Sequence, residues 1–167
     1  AYGFRKVTKV IAGGAERYHS VFRGLQAVEK CDYVFIHDGA RPFVDETMLQ
    51  RALAGVRQYK ACVVGMPVKD TIKVADYSGF AAQTPDRSSL WMIQTPQVFS
   101  YSLIKTAYEH LLCSGGIKVT DDAMVLEQMT GHSVKLIEGS YENIKITTPE
   151  DLVIAQALLE RKTKNVE

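Results

Sequence analysis

The chain has 167 residues, 46% of them hydrophobic and 23% charged, the makeup of one ordinary globular domain that needs neither disulfides nor a structural metal to fold. Twenty Lys plus Arg against 19 Asp plus Glu leave a net charge of +1, a balance that argues against a bulk electrostatic partner such as a nucleic acid or an anionic membrane surface. No apolar run approaches the ~20 residues needed to cross a bilayer, no signal peptide opens the sequence, and Ala1 in place of a start methionine leads us to expect residues upstream.

Val7–Ile11 reads as a strand, followed by the Ala12-Gly13-Gly14 turn and a helix from about Ser20, with Val21, Phe22, Leu25 and Val28 on one face. Tyr33–Ile36 is a continuous apolar run, as in a strand buried on both faces. Asp45 is placed to cap a helix burying Met48, Leu49, Ala52, Leu53 and Val56. Ala61–Met66 is a further strand stopped by Pro67. Thr71–Val74 and Phe80–Thr84 flank the turn Asp76-Tyr77-Ser78-Gly79, giving a polar hairpin that projects as an arm within residues 69–90. Trp91–Phe99 is apolar again; Ser100 opens a helix that Gly115-Gly116 ends. A helix after Thr120, strands at Val134–Ile137 and Asn143–Thr147, and a helix started by Thr148-Pro149-Glu150-Asp151 complete the chain. Cys31, Cys62 and Cys113 form no C-x-x-C pair and read as small apolar fillers in a reducing compartment.

Strands alternating with helices predict an α/β fold: one domain, its mostly parallel sheet covered by helices on both faces. Ligands bind such sheets beyond the carboxyl ends of the strands. The loop Gly13–Ser20 has paired glycines that either let backbone approach a base or phosphate or simply make a tight turn. In His37-Asp38-Gly39-Ala40-Arg41-Pro42, Asp38 could hold Mg²⁺ or a sugar hydroxyl and Arg41 a phosphate; the alternative is an ion pair bracing the turn. His37 reads as a packed strand-end residue and His132 as part of a surface turn. The charges of the hairpin either face solvent or reach a partner subunit. Lys145, in an apolar strand, either faces an anion or guards a sheet edge. These loop sites supply no Ser-His-Asp set and no Cys-His pair, and the Gly13-Gly14 turn lacks G-x-G-x-x-G, so they suit electrostatic handling of phosphates rather than covalent catalysis or dinucleotide binding.

Seven motifs occur in order: GGAERYHSV (Gly13–Val21), HDGARPF (His37–Phe43), VKDTIK (Val68–Lys73), TPDRSSLW (Thr84–Trp91), QTPQVF (Gln94–Phe99), TDDA (Thr120–Ala123) and NIKITTPEDL (Asn143–Leu152). With them the sequence resembles the 2-C-methyl-D-erythritol 4-phosphate cytidylyltransferases of isoprenoid biosynthesis. The resemblance implies a Rossmann-like nucleotidyltransferase fold with a protruding β-hairpin arm, and transfer of CMP from CTP to methylerythritol phosphate with Mg²⁺ bridging the triphosphate. It places Gly14, Ala15 and Ser20 at the cytosine, Gly39 near the nucleotide, and Asp38, Arg41, Thr95 and Lys145 at the acceptor, with Thr120 at the same rim. Lys145, Asp38 and Arg87 are the catalytic expectations, and Asp38 the metal ligand. Thr71 and Arg87 would reach the acceptor in the partner's site, making a homodimer through the arm. It also implies a glycine-rich, Arg- and Lys-bearing nucleotide-binding segment ahead of Val7, which these residues do not include, and a cytoplasmic location, or a plastid one for a plant-type source. Ribitol 5-phosphate cytidylyltransferases, and a silent binding module of the same fold, are the alternatives.

Overall fold

The computed structural model describes residues 3–29, 31–114 and 118–164. By contacts the chain divides into two compact units: Ala1–Ile36, Gly55–Cys62 and Gln97–Lys135 form the first, and His37–Ala54, Val63–Pro96 and Leu136–Glu167 the second.

The chain is α/β. Strands β1 (Tyr33–Ile36), β2 (Ala61–Pro67), β5 (Trp91–Ser100) and β6 (Lys135–Glu138) form one sheet in the order β1-β5-β2-β6. A two-stranded sheet, β3 (Val74–Ala75) with β4 (Ala81–Gln83), is separate from it. β2 behaves as its unbroken apolar run predicts, with Ala61 to Met66 all buried. β1 does not: Phe35 is 39% exposed, because β1 stands last in the strand order and is covered less than an inner strand. β5 runs antiparallel to β1. The bonds Ser100 N–H to Lys60 O and Val68 N–H to Leu90 O pair β5 with β2 in falling register, so these two are antiparallel as well. β1 and β2 therefore share one direction and β5 is inserted between them. Helix–strand alternation does not reveal it because the chain reaches β5 through the arm, not through a crossover helix.

The helices are α1 (Arg17–Ala27), α2 (Glu46–Tyr59), α3 (Tyr101–Ser114), α4 (Asp122–Thr130) and α5 (Pro149–Lys164). α1 begins before Ser20 because Glu16 acts as the N-cap: its own amide donates to His19 Nδ1 over 3.3 Å. Asp45 caps α2, accepting from the Met48 amide at 2.7 Å. Met48, Ala52 and Val56, on one face of α2, are fully buried, the two larger ones each contributing roughly 1.5–3 kcal/mol by leaving water. Asp121 caps α4 through the Met124 amide, and Gly131 ends it at φ 69°. At α5 the cap is not the Thr148 hydroxyl. Asp151 reaches back to the amides of Thr147 and Thr148, bonds that hold its carboxyl below the usual carboxylate range. In the first unit α3 packs against both α4 and α1, with Phe22 stacked on Tyr108 at 6.3 Å. The Gly115-Gly116 stop expected after α3 lies outside the described residues.

Two expected strands are absent. Val7–Ile11 is irregular, with Val10 90% exposed. Asn143–Thr147 is irregular too; a single backbone bond, Ile146 N–H to Ala40 O, stands in place of a ladder to the loop after β1. Among the described residues no helix is long and apolar enough to cross a membrane.

Candidate active site

In the second unit, four of the residues singled out from the sequence meet in one hydrogen-bonded cluster. The loop after β1 carries Asp38 and Arg41; a bond from the Arg41 amide to Asp38 O closes it into a turn. The Asp38 amide donates to Thr95 Oγ1 over 3.0 Å, and Thr95 Oγ1 lies 3.0 Å from His37 Nδ1. His37 Nε2 lies 2.9 Å from Arg41 O. A carbonyl only accepts, so Nε2 carries the proton and, in the neutral ring, Nδ1 accepts from Thr95. His37 thereby ties the two ends of the loop to β5. Its role escaped the sequence reading, in which it was only a packed strand-end residue.

Lys145 Nζ lies 2.8 Å from Asp38 Oδ2, in an ion pair with side-chain exposures of 44% and 17%. Its segment is fixed by Asn143, which is fully buried and donates to Thr95 O at 2.9 Å and Gln94 Oε1 at 3.2 Å. Arg41 Nη1 in turn donates to Asn143 O over 2.7 Å. Burial pulls the Arg41 guanidinium below its ordinary pKa while Asp38 pushes it back up. Arg41 Nε is buried and has no hydrogen-bond partner among the described residues. The Arg41 guanidinium and the Lys145 ammonium both act on the Asp38 carboxylate, so the cluster carries two cations. Lys145 thus stands on an irregular segment against Asp38, not on a sheet edge.

The arm is a separate matter. Its tip is closed by Asp76, whose Oδ1 accepts from the amides of Ser78 and Phe80, with Gly79 at φ 84°. Its strands are exposed throughout. Arg87 donates from Nη1 to Lys69 O across 2.7 Å, fastening the two ends of the arm, and Lys69 Nζ sits 3.4 Å over the Tyr141 ring. No described bond joins Thr71 or Arg87 to the Asp38 cluster.

In the first unit, the Gly14 amide donates to Ser20 Oγ over 2.9 Å, folding the Gly13–Ser20 loop back onto α1. A Cβ at Gly14 would lie 2.3 Å from His19 Cβ, so the loop demands glycine there. Ala15 is exposed on this loop. Thr120 borders a pocket of about 360 Å³ shared with Glu16, Arg17, Tyr18, Lys118 and Asp121. Gly39, on the loop after β1 in the second unit, has open space around a built Cβ.

Among the described residues no three His, Cys, Asp or Glu side chains converge as metal ligands. Asp38 is a single carboxylate already paired with Lys145. That donor set fits a magnesium ion held chiefly by phosphate oxygens and water, with at most one protein carboxylate, and not an ion bound by protein alone.

A family model described as 2-C-methyl-D-erythritol 4-phosphate cytidylyltransferase matches residues 3–161. The protein of that name from Lachnoclostridium phytofermentans is 48% identical over 158 residues, which cover 95% of this chain and 68% of that one. Its namesake from Lachnospira eligens is 52% identical over 159 residues, covering 93% and 69%. Among solved structures, 4-diphosphocytidyl-2C-methyl-D-erythritol synthase from Anaerococcus prevotii superposes with a TM-score of 0.84 at 39% identity, over 90% of this chain and 69% of that one. 2-C-methyl-D-erythritol 4-phosphate cytidylyltransferase from Thermus thermophilus does so with a TM-score of 0.81 at 35% identity, over 90% and 72%.

Proposed function

This chain belongs to the 2-C-methyl-D-erythritol 4-phosphate cytidylyltransferase family, and from that footing we propose that it carries out the family reaction through the cluster around Asp38. CMP passes from CTP to 2-C-methyl-D-erythritol 4-phosphate, giving 4-diphosphocytidyl-2-C-methyl-D-erythritol and pyrophosphate, a step of isoprenoid biosynthesis. The family match does not favour ribitol 5-phosphate as the acceptor.

A phosphate oxygen of the acceptor attacks the α-phosphorus of CTP; the bond from that phosphorus to the bridging oxygen breaks, and pyrophosphate leaves with the electron pair. No covalent enzyme intermediate is needed, so the residues act by placement and charge. Lys145 and Arg41 hold the acceptor phosphate, and Lys145 offsets charge that builds during transfer. Asp38 orients Lys145 and meets an acceptor hydroxyl, and Thr95 fixes the loop that carries Asp38. Gly14, Ala15 and Ser20 read the base through backbone and hydroxyl, and Thr120 borders the acceptor. A magnesium ion would be held with Asp38 as the protein carboxylate, and when bound it would neutralise phosphate charge. Thr71 and Arg87, on the arm, serve the partner's site in a homodimer. Location in the cytoplasm accords with the bacterial relatives.

The observation that carries this reading is the cation pair Lys145 and Arg41 beside Asp38, with Arg41 Nε buried and lacking a partner among the described residues. The test is pyrophosphate release by the complete gene product with Mg²⁺, CTP and either acceptor in parallel. Turnover with methylerythritol phosphate alone supports the reading. Turnover with ribitol 5-phosphate alone, or with neither, overturns it.

A further inference from the structure

The first turn of α1 and the start of α4 are joined by a two-pronged ion pair that the chemistry above leaves unused. Arg17 Nη1 donates to Asp122 Oδ1 over 2.9 Å, and Arg17 Nη2 to Asp122 Oδ2 over 2.8 Å. Asp122 is fully buried and also accepts from the Tyr108 hydroxyl at 2.5 Å. Burial and the Asp122 charge push the Tyr108 hydroxyl well above its ordinary pKa, so it stays a donor. Gln97 Oε1 takes the amides of Asp122 and Ala123 at 3.0 and 2.9 Å, while Gln97 Nε2 donates to Asp121 Oδ2 at 3.0 Å. The start of α4 is thus fixed by β5 through Gln97, by α3 through Tyr108 and by α1 through Arg17.

The last of these ties comes from a side chain at a pocket wall. Arg17 keeps 36% of its side chain exposed and lines the pocket that Thr120 borders. A pair this deeply buried on one side adds little net stability, because desolvation of the carboxylate offsets the attraction. What a guanidinium fork on a carboxylate does supply is one fixed orientation. Three residues from Arg17 is Ser20, whose hydroxyl holds the Gly14 amide. Two residues from Asp122 is Thr120.

We propose that Arg17 is a positioning residue for the transfer reaction: by gripping Asp122 it sets the base-reading loop and Thr120 in one frame, so that the bound base is held in a fixed relation to the Thr120 rim. The proposal rests on the reaction assigned above. Arg17 touches neither reacting atom; it acts through Ser20 on one side and Thr120 on the other.

The complete gene product is compared with its Arg17→Lys and Arg17→Ala variants. Lysine keeps the charge and loses the fork. Because small misplacements of reactants can cost about a hundredfold, both variants are expected to lose roughly 10- to 100-fold in kcat/KM, with raised KM for CTP and acceptor. Melting temperature should stay within about 3 °C of the parent for Arg17→Lys. Millimolar guanidinium should recover part of the loss in Arg17→Ala and none in Arg17→Lys, a signature that a purely structural role does not give. Parental KM values in Arg17→Lys overturn the proposal, as does a loss that follows melting temperature and ignores guanidinium. If Arg17→Ala fails to fold, the lysine variant alone decides by the same KM criterion. A parent that releases no pyrophosphate sinks the assigned reaction instead; the joint is then judged by calorimetric CTP affinity, which an unchanged value in Arg17→Lys would overturn.

Discussion

Lys145 Nζ and Asp38 Oδ2 stand 2.8 Å apart, one on an irregular segment before α5 and the other on the loop after β1. Because Lys145 is nearly half exposed, the pair contributes little to stability, about 1 kcal/mol or less. Lys145→Ala should therefore lower kcat/KM by about a hundredfold or more, the scale of removing one stabilising group from a transition state, with melting temperature almost unmoved. A parallel drop in melting temperature would assign the pair to the fold instead.

Gly14 gives a second expectation. An added methyl group there would collide with His19 Cβ at 2.3 Å and approach His19 C at 3.1 Å. Relief requires the loop to move off α1 and release the bond to Ser20. Gly14→Ala should destabilise the protein by about 1–3 kcal/mol, the usual scale of overpacking, and raise KM for CTP more than KM for the acceptor. Gly39→Ala, at an open position, is the control for stability and should leave it unchanged.

The arm supplies a third. Arg87 bonds to Lys69 O and not to the Asp38 cluster. If it serves the partner's site, Arg87→Ala and Lys145→Ala are each inactive alone. Mixed one to one, half of the dimers are hybrids with one intact site in two, so about a quarter of parental activity should return. No recovery, with subunit exchange confirmed by mass, removes the shared site.

Burial pushes the Cys62 thiol up to about 12, against about 8.5 in an unfolded chain. The folded state holds the proton more tightly, so this contribution is complete below pH ~8.5 and is lost as pH rises toward the folded value. Urea midpoints should fall between pH 8.5 and 10.5 in the parent and fall less in Cys62→Ala. At neutral pH an alkylating reagent should label exposed Cys113 and spare Cys62.

The sequence was most legible where one local rule decides the outcome. Ala61–Met66 had to be an inner strand, since six consecutive small or apolar residues leave no wet face. Asp76-Tyr77-Ser78-Gly79 had to turn, since Asp76 satisfies two amides and Gly79 takes the positive φ. Val7–Ile11 has β-branched residues and Asn143–Thr147 the alternation of a strand, but neither pattern says anything of pairing. The Asp38 cluster could be anticipated in part because Asp38 and Arg41 follow the end of β1, whereas Thr95, expected in a strand-end loop, lies inside β5. His37 could not, because its partners, Thr95 Oγ1 and Arg41 O, exist only once the loop has closed. Arg17 and Asp122 lie 105 residues apart in sequence, and nothing local to either marks the other. One hint was available: an acid directly after the capping Asp121 is free to turn inward, since its neighbour already serves the helix end.

β2 and β5 are paired antiparallel neighbours, so the arm between them is in effect the tip of one enlarged hairpin. Entropy of closing such a tip grows only logarithmically with its length, about 0.6 kcal/mol for each doubling. The arm can therefore be lengthened, shortened or exchanged over evolutionary time at small thermodynamic penalty, while the flanking strands keep their register. Insertions between Tyr77 and Ser78, where Tyr77 is wholly exposed, make this the natural position to graft a reporter peptide onto the enzyme.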